Sequence, residues 1–175
     1  MPPPNRQRKK KSQVLEPSAN LSLLPPSDPH FFDFDLDRGI REQVIEALED
    51  SPKLPLDTGV GPRLSGVYAL HYNGKLVYIG KATREMTKSG RTLRSRLNEH
   101  VIKISGRQDI SLADMQCQFL TFKSEWWVIA AEFALMTTYE PEWNFTGFGS
   151  KMPGKGRPGT ERISVWDQMF PPKIS

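Results

Sequence analysis

The stretch SGVYALHYNGKLVYIGK, residues 65–81, holds two β-rich runs on either side of Asn73-Gly74. A tight type I′ turn needs positive φ at both central residues, and Asn followed by Gly meets that need. The stretch therefore predicts an antiparallel hairpin. Upstream, residues 53–64 contain two prolines and two glycines and read as a loop. Before them, in FFDFDLDRGIREQVIEALEDSP, Ile40, Val44 and Leu48 recur every four residues and Ile45 widens the stripe. That spacing predicts an amphipathic helix, capped by Asp37 and ended at Ser51-Pro52, with Phe31, Phe32 and Phe34 pinning the preceding segment to the core.

Downstream, Leu93, Leu97, Val101 and Ile104 share one face of a helix expected over residues 91–104. Residues 118–122 read as a third strand. Ser124 is expected to cap an apolar helix of roughly residues 125–138 that stops before Pro141. Of Trp126 and Trp127, adjacent on that helix, one is expected in the core. Residues 147–159 contain five glycines and two prolines and read as a long loop. No internal repeat is visible. The order predicts an α/β fold of the α+β type: a small, mainly antiparallel three-stranded sheet flanked by helices.

The 175 residues suffice for one domain with a core plus a tail. No apolar run approaches the ~18 residues of a membrane span, and MPPPNRQRKKK lacks the apolar stretch of a signal peptide. The single cysteine, Cys117, excludes an intramolecular disulfide, fits a reducing cytoplasm, and reads as a small buried residue. One Cys and three scattered histidines (His30, His71, His100) give no zinc-ligand spacing. The net charge is +4, but residues 1–12 carry five cations and no acid, which leaves −1 (4 − 5) for the rest. The body is thus not broadly basic, and contact with a polyanion must use local patches.

The residues with chemical capacity are spread along this framework. Gly66-Val67-Tyr68 lies on the first hairpin strand, and Tyr78-Ile79-Gly80 with Lys81-Ala82 on the second. Alone, two strand tyrosines read as packing or cross-strand partners. Arg96 and His100 are four residues apart and share a helical face next to the stripe of Leu93 and Leu97, either at a cleft edge or on a solvated surface. Glu132 stands in WWVIAAEFALM among apolar neighbours. A buried carboxylate needs a partner, so it is expected to bind a cation or an arginine unless it lies on an exposed stripe. Asn144 follows in YEPEWN.

Taken in order, Gly66-Val67-Tyr68, nine residues, Tyr78-Ile79-Gly80-Lys81-Ala82, the Leu93–Leu97 segment with Arg96, Glu132 in its apolar helix and Tyr139-x-Pro141-x-Trp143-Asn144 resemble the GIY-YIG nuclease superfamily over residues 65–146. Val67 replaces the usual Ile, a conservative change in a strand. His100 four residues after Arg96, and the tail from Gly147 through Arg157 followed by Trp166-Asp167, resemble more closely a branch of type II restriction endonucleases that cut a GC-rich palindrome. The resemblance implies a cytoplasmic homodimer that cuts both strands of double-stranded DNA at a palindromic site, no membrane association, and a cognate methyltransferase. It also implies one Mg²⁺ per active site, for which Mn²⁺ can substitute.

The residue types suit that reaction. Phosphodiester hydrolysis needs an activated water, charge stabilisation at phosphorus and help for the leaving oxygen. Glu132 is the candidate metal ligand, since Mg²⁺ keeps most of its waters and takes one or two protein oxygens. Arg96 suits the phosphate with its fork of donors. Tyr68 is the candidate base, with His100 able to accept the phenol proton in a relay and covalent attack by Tyr68 ranked lower. Lys81 is expected near Tyr68 or the phosphate, and Tyr78 positions water or phosphate or simply packs. Asn144 orients Glu132 or fixes its loop. Lys151, Lys155, Arg157 and Arg162 are candidate DNA contacts, against a solvated loop as the alternative. Residues 1–28 read as a mobile, basic, Pro-rich arm, either solvated or grasping DNA. Residues 29–175 read as one nuclease domain with core 65–146 and a DNA-binding extension 147–175. Two other readings are a monomeric nicking or repair nuclease of the same superfamily and a catalytically silent DNA-binding module.

Overall fold

The computed structural model describes residues 36–84, 90–149 and 163–174. Helix α1 spans Leu36–Asp50, strand β1 Leu54–Pro55, β2 Gly66–Tyr72 and β3 Lys75–Ala82. They are followed by α2 over Leu93–Ser105, β4 over Met115–Thr121, α3 over Trp126–Tyr139 and α4 over Val165–Met169. The hairpin forms as expected: Tyr72 pairs with Lys75 across a turn in which Asn73 has φ 50° and Gly74 φ 79°. The arm at 1–28 and Phe31, Phe32 and Phe34 lie outside the described residues.

The sheet has four antiparallel strands in the order β1-β4-β2-β3. The fourth strand corrects the three-stranded expectation. Within the segment read as a loop, Leu54 and Pro55 pair with Cys117 and Gln116. Two residues show no alternation, and a proline at a sheet edge loses no ladder bond, so sequence pattern alone could not mark it. Strand β4 begins three residues before its expected start because a 3₁₀ turn at Leu112–Asp114 delivers buried Met115 to the sheet.

The helices cover both faces. On one, α2 lays Leu93, Leu97, Val101 and Ile104 against Tyr68, Leu70, Tyr78 and Cys117. On the other, Val44 and Leu48 of α1 and Val128, Ala131 and Leu135 of α3 pack on Val67, Ala69 and Ile79. A register shift between Leu70 and His71 breaks the alternation of β3. As a result Val77 and Tyr78 both join the α2-side core, while Leu76 and Ile79 join the other. A buried amide ties the layers: Gln118 Nε2 donates to the carbonyls of Leu48 (2.8 Å) and Ser51 (2.5 Å), and its oxygen meets His71 Nε2 at 2.8 Å.

Three local expectations are corrected. Helix α1 starts at Leu36, so Asp37 sits within its first turn rather than capping it. Glu125 occupies the N-cap of α3, while Ser124 Oγ accepts from the Trp126 amide at 3.4 Å. Neither Trp126 (74% exposed) nor Trp127 (48%) is in the core. Helix α3 is apolar almost all round, and its burial is set by small residues, Ala131 and Ala134, that let it approach the sheet and α1. The tail contains α4, which buries Trp166 with Trp143, Phe148 and Phe170. Among the described residues no helix is long and apolar enough to cross a membrane.

Glycine 66 is required by close approach. A Cβ there would lie 2.0 Å from the Leu120 carbonyl oxygen and 2.9 Å from Leu93 Cδ1. Backbone cannot yield cheaply, so Gly66→Ala should destabilise the fold by about 1–3 kcal/mol or more. Gly39→Ala meets nothing within 4 Å in α1 and should stabilise by about 0.5–1 kcal/mol. Urea melts of the two variants check this pair, and equal midpoints would refute it.

Candidate active site

Tyr68 stands on β2 directly across from Gly80 of β3. That pairing is steric. A Cβ on Gly80 would fall 2.5 Å from the Tyr68 hydroxyl and 2.8 Å from a Tyr78 ring carbon, so only glycine lets the phenol lie across the neighbouring strand. Tyr68 is fully buried, with its ring centroid 6.1 Å from that of Tyr78. Its hydroxyl is 2.8 Å from Nε2 of His100, which is also buried. Arg96, one turn before His100, reaches the two phenols with its guanidinium charge. Its Nη1 bonds Glu99 at 2.8 Å, and its Nε is buried without a hydrogen-bond partner among the described residues. The helical spacing of Arg96 and His100 thus puts both against the tyrosines, at the inner wall rather than on a solvated face.

Burial controls the protonation states. It raises the Tyr68 phenol well above its usual range, with the neighbouring Tyr78 adding to the effect. It raises Tyr78 too, the Glu132 carboxylate contributing and Arg96 opposing. Burial also pushes His100 down to about 3, and the charges of Arg96 and Lys103 push the same way. The resting site therefore holds two neutral phenols and a neutral imidazole beside a permanent cation, because an arginine side chain does not deprotonate in proteins.

Glu132 reaches the sheet from the opposite helical layer, where α3 packs beneath β3. Its carboxylate is ion-paired with Lys81, and its side chain is 18% exposed. Of the two positions expected for Lys81, beside Tyr68 or at the phosphate, the first is not found. On its strand Lys81 points to the other face, opposite Val67. Asn144, expected to orient Glu132 or to fix its loop, bonds the backbone of β3. Its Oδ1 accepts from the Ile79 amide at 2.9 Å and its Nδ2 donates to the Ile79 carbonyl at 2.7 Å. The side-chain amide thereby pairs the free edge of β3 as a neighbouring strand would. Lys151, Lys155, Arg157 and Arg162 lie outside the described residues.

Two wall-forming residues were not singled out in the sequence. Phe148 stacks on His100 at 4.8 Å with planes 16° apart and meets Tyr78 edge-on at 5.0 Å. Lys103 donates to the Phe148 carbonyl at 2.6 Å and lies over the Phe148 and Trp166 rings. A Cβ on Gly149 would fall 2.3 Å from the Tyr78 hydroxyl, so this backbone closes directly on the phenol. An aromatic residue between two glycines was the available signal.

Among the described residues no cluster of three His, Cys, Asp or Glu side chains forms a cage. One carboxylate already holding the Lys81 ammonium is a cation-accepting oxygen site. Such a lone, half-buried carboxylate fits Mg²⁺, which retains its waters, and does not fit a metal that demands several protein ligands.

A family model of the Eco29kI GIY-YIG domain matches residues 75–174, more than half of the 175-residue chain. The match takes in Tyr78, Lys81, Arg96, His100, Glu132 and Asn144 and begins after Tyr68. The GIY-YIG N-terminal endonuclease domain of UvrC from Thermotoga maritima, solved bound to its catalytic magnesium, is 21% identical over 61% of this chain and 96% of its own, with a TM-score of 0.35. A point mutant of that domain from Thermotoga maritima, bound to its catalytic divalent cation, is 19% identical over 60% and 93%, with a TM-score of 0.36. No curated protein matches.

The depressed His100 pKa has a defined consequence. The unfolded imidazole takes a proton near 6.5, whereas the folded one does so only near 3. Stability is therefore fully present above the unfolded value and declines as the pH falls through that window. NMR of labelled imidazoles should find His100 neutral across about pH 5 to 8; a midpoint near the ordinary value would contradict this account of the site.

Proposed function

The chain belongs to the Eco29kI GIY-YIG domain family, a restriction endonuclease family, and on that premise we propose that it is a Mg²⁺-dependent type II endonuclease that hydrolyses double-stranded DNA at a specific site. The observation that carries this reading is the pairing of Tyr68 with neutral His100 beside the buried Nε of Arg96, which has no hydrogen-bond partner among the described residues. A buried N–H without an acceptor is costly unless a ligand supplies one, and an anionic phosphate oxygen is such an acceptor.

In the proposed reaction water attacks phosphorus and the bond to the 3′ oxygen breaks. Tyr68 takes the water proton while its own phenolic proton passes to His100 Nε2, so no free phenolate is needed. Tyr68 is wholly buried, so water meets it from the side of Tyr78 and Arg96, the more open members of the cluster. Tyr78 orients the water or phosphate, and Arg96 binds the phosphate as negative charge grows. Glu132 would hold the metal, with Lys81 sharing its carboxylate; Mg²⁺ there supplies charge stabilisation for the phosphate and leaving oxygen. Asn144 keeps β3 in register beneath these groups.

One chain carries one such centre, and cutting a duplex takes two, which favours a homodimer on a palindromic site. Exposed Trp127, Ile129 and Phe133 on α3 give a second copy an apolar surface. The basic residues Lys151, Lys155, Arg157 and Arg162 are proposed to contact DNA, and a methyltransferase of matching specificity would guard the host.

The test is incubation of purified protein with genomic DNA, with Mg²⁺ or with chelator. Discrete Mg²⁺-dependent fragments with one common end sequence are expected, and Glu132→Ala should slow their formation by about 10²–10³-fold. DNA binding without fragments, identical in parent and variant, would replace this reading with a silent binding module.

A further inference from the structure

Beside the candidate centre, at the end of the sheet where β2 begins and β3 and β4 finish, lies a groove of about 560 Å³. Leu64, Ser65, Arg84, Lys123, Ser124 and Trp126 line it. Its floor is fixed: the Glu125 carboxylate is hydrogen-bonded by the Ser65 hydroxyl and accepts from the Arg84 amide at 2.7 Å. Ser65 Oγ accepts from the same amide at 3.1 Å. The rim is cationic. Arg84 and Lys123 are exposed, and neither side chain has an ion pair among the described residues. Trp126, 74% exposed, adds a large flat apolar wall.

The groove is built from residues that adjoin those of the candidate centre along the chain. Ser65 precedes Gly66 and is three residues from Tyr68, and Arg84 is three residues beyond Lys81. Glu125, at the N-cap of α3, precedes Glu132 by seven residues. That spacing is about two helical turns on one face, or roughly 10 Å. A groove at roughly that distance from Glu132 is within reach of phosphates that flank the scissile one on a bound strand.

We infer that this groove is a backbone subsite for the DNA substrate, in which Arg84 and Lys123 grip phosphates flanking the scissile one and Trp126 packs against the sugar faces. The inference rests on the DNA-cleaving reading above and adds the surface that holds the duplex in register. Two cations without ion-pair partners among the described residues, the Ser124 hydroxyl and an exposed indole match the chemistry of a sugar-phosphate strand. Contacts of this kind position DNA without reading its sequence.

The test is binding of a fluorescent random-sequence duplex in the presence of chelator, followed by anisotropy over a range of KCl. The proteins compared are the parent, Arg84→Ala, Lys123→Ala, their double variant and Trp126→Ala. Each lost phosphate contact should weaken binding several-fold and reduce the slope of log affinity against log salt by about one. The double variant should lose about two. Trp126→Ala should weaken binding at an unchanged slope, because an apolar contact releases no counterions. A parent that binds DNA while the double variant keeps its affinity and slope would overturn the subsite and leave the nuclease reading standing. A parent that binds no duplex at all would sink both. Each substituted side chain is solvent-exposed, so thermal melts should match the parent.

Discussion

The hydrogen bond between the Tyr68 hydroxyl and His100 Nε2 can exist only because Gly80 leaves room for a phenol to lie across β3. From that placement the protonation states follow. A phenol and an imidazole sealed from water are both held neutral. A neutral pair can pass a proton between its members without either charge being exposed to a low-dielectric core in the resting state. The charge of the site is carried instead by Arg96 on the α2 face and by the ion pair of Glu132 with Lys81 on the α3 face, side chains that are partly solvated.

The edge of the sheet brings those two faces together. Among the described residues β3 has no strand on its outer side, so side chains from both helical layers can reach around it. An open edge is also a liability, and Asn144 satisfies the Ile79 amide and carbonyl there. The 3₁₀ turn that carries Asn144 also holds Trp143 and leads to Phe148, and these two rings join Trp166 and Phe170 in one aromatic cluster. The C-terminal extension is therefore part of the wall of the site. Phe148 sets the plane of His100, and Lys103 is held between Phe148 and Trp166.

Periodicity and turn chemistry disclosed the hairpin, the three long helices and β4, because each signal is local. The (i, i+4) spacing of Arg96 and His100 likewise disclosed that they act on one face. What stayed hidden is non-local. The two-residue β1 carries no pattern, α4 is too short to show one, and the exposure of Trp126 and Trp127 depends on where α3 meets α1. The partner of Lys81 is likewise non-local: strand alternation turns it to Glu132. The role of Asn144 requires knowing that β3 is an edge, which no residue of β3 reveals. Phe148 acts through a ring stack with a residue forty-eight positions earlier.

The most direct measurement of the central claim is a double-mutant cycle on Tyr68 and His100, read as single-turnover DNA cleavage by the parent, Tyr68→Phe, His100→Gln and the double variant, with folding confirmed by thermal melts. If the two residues form one proton path, each single change should cost a similar factor, about 10²–10⁴, and the double variant should be little worse than either. Losses that multiply independently, or a Tyr68→Phe variant that cleaves like the parent, would contradict the relay.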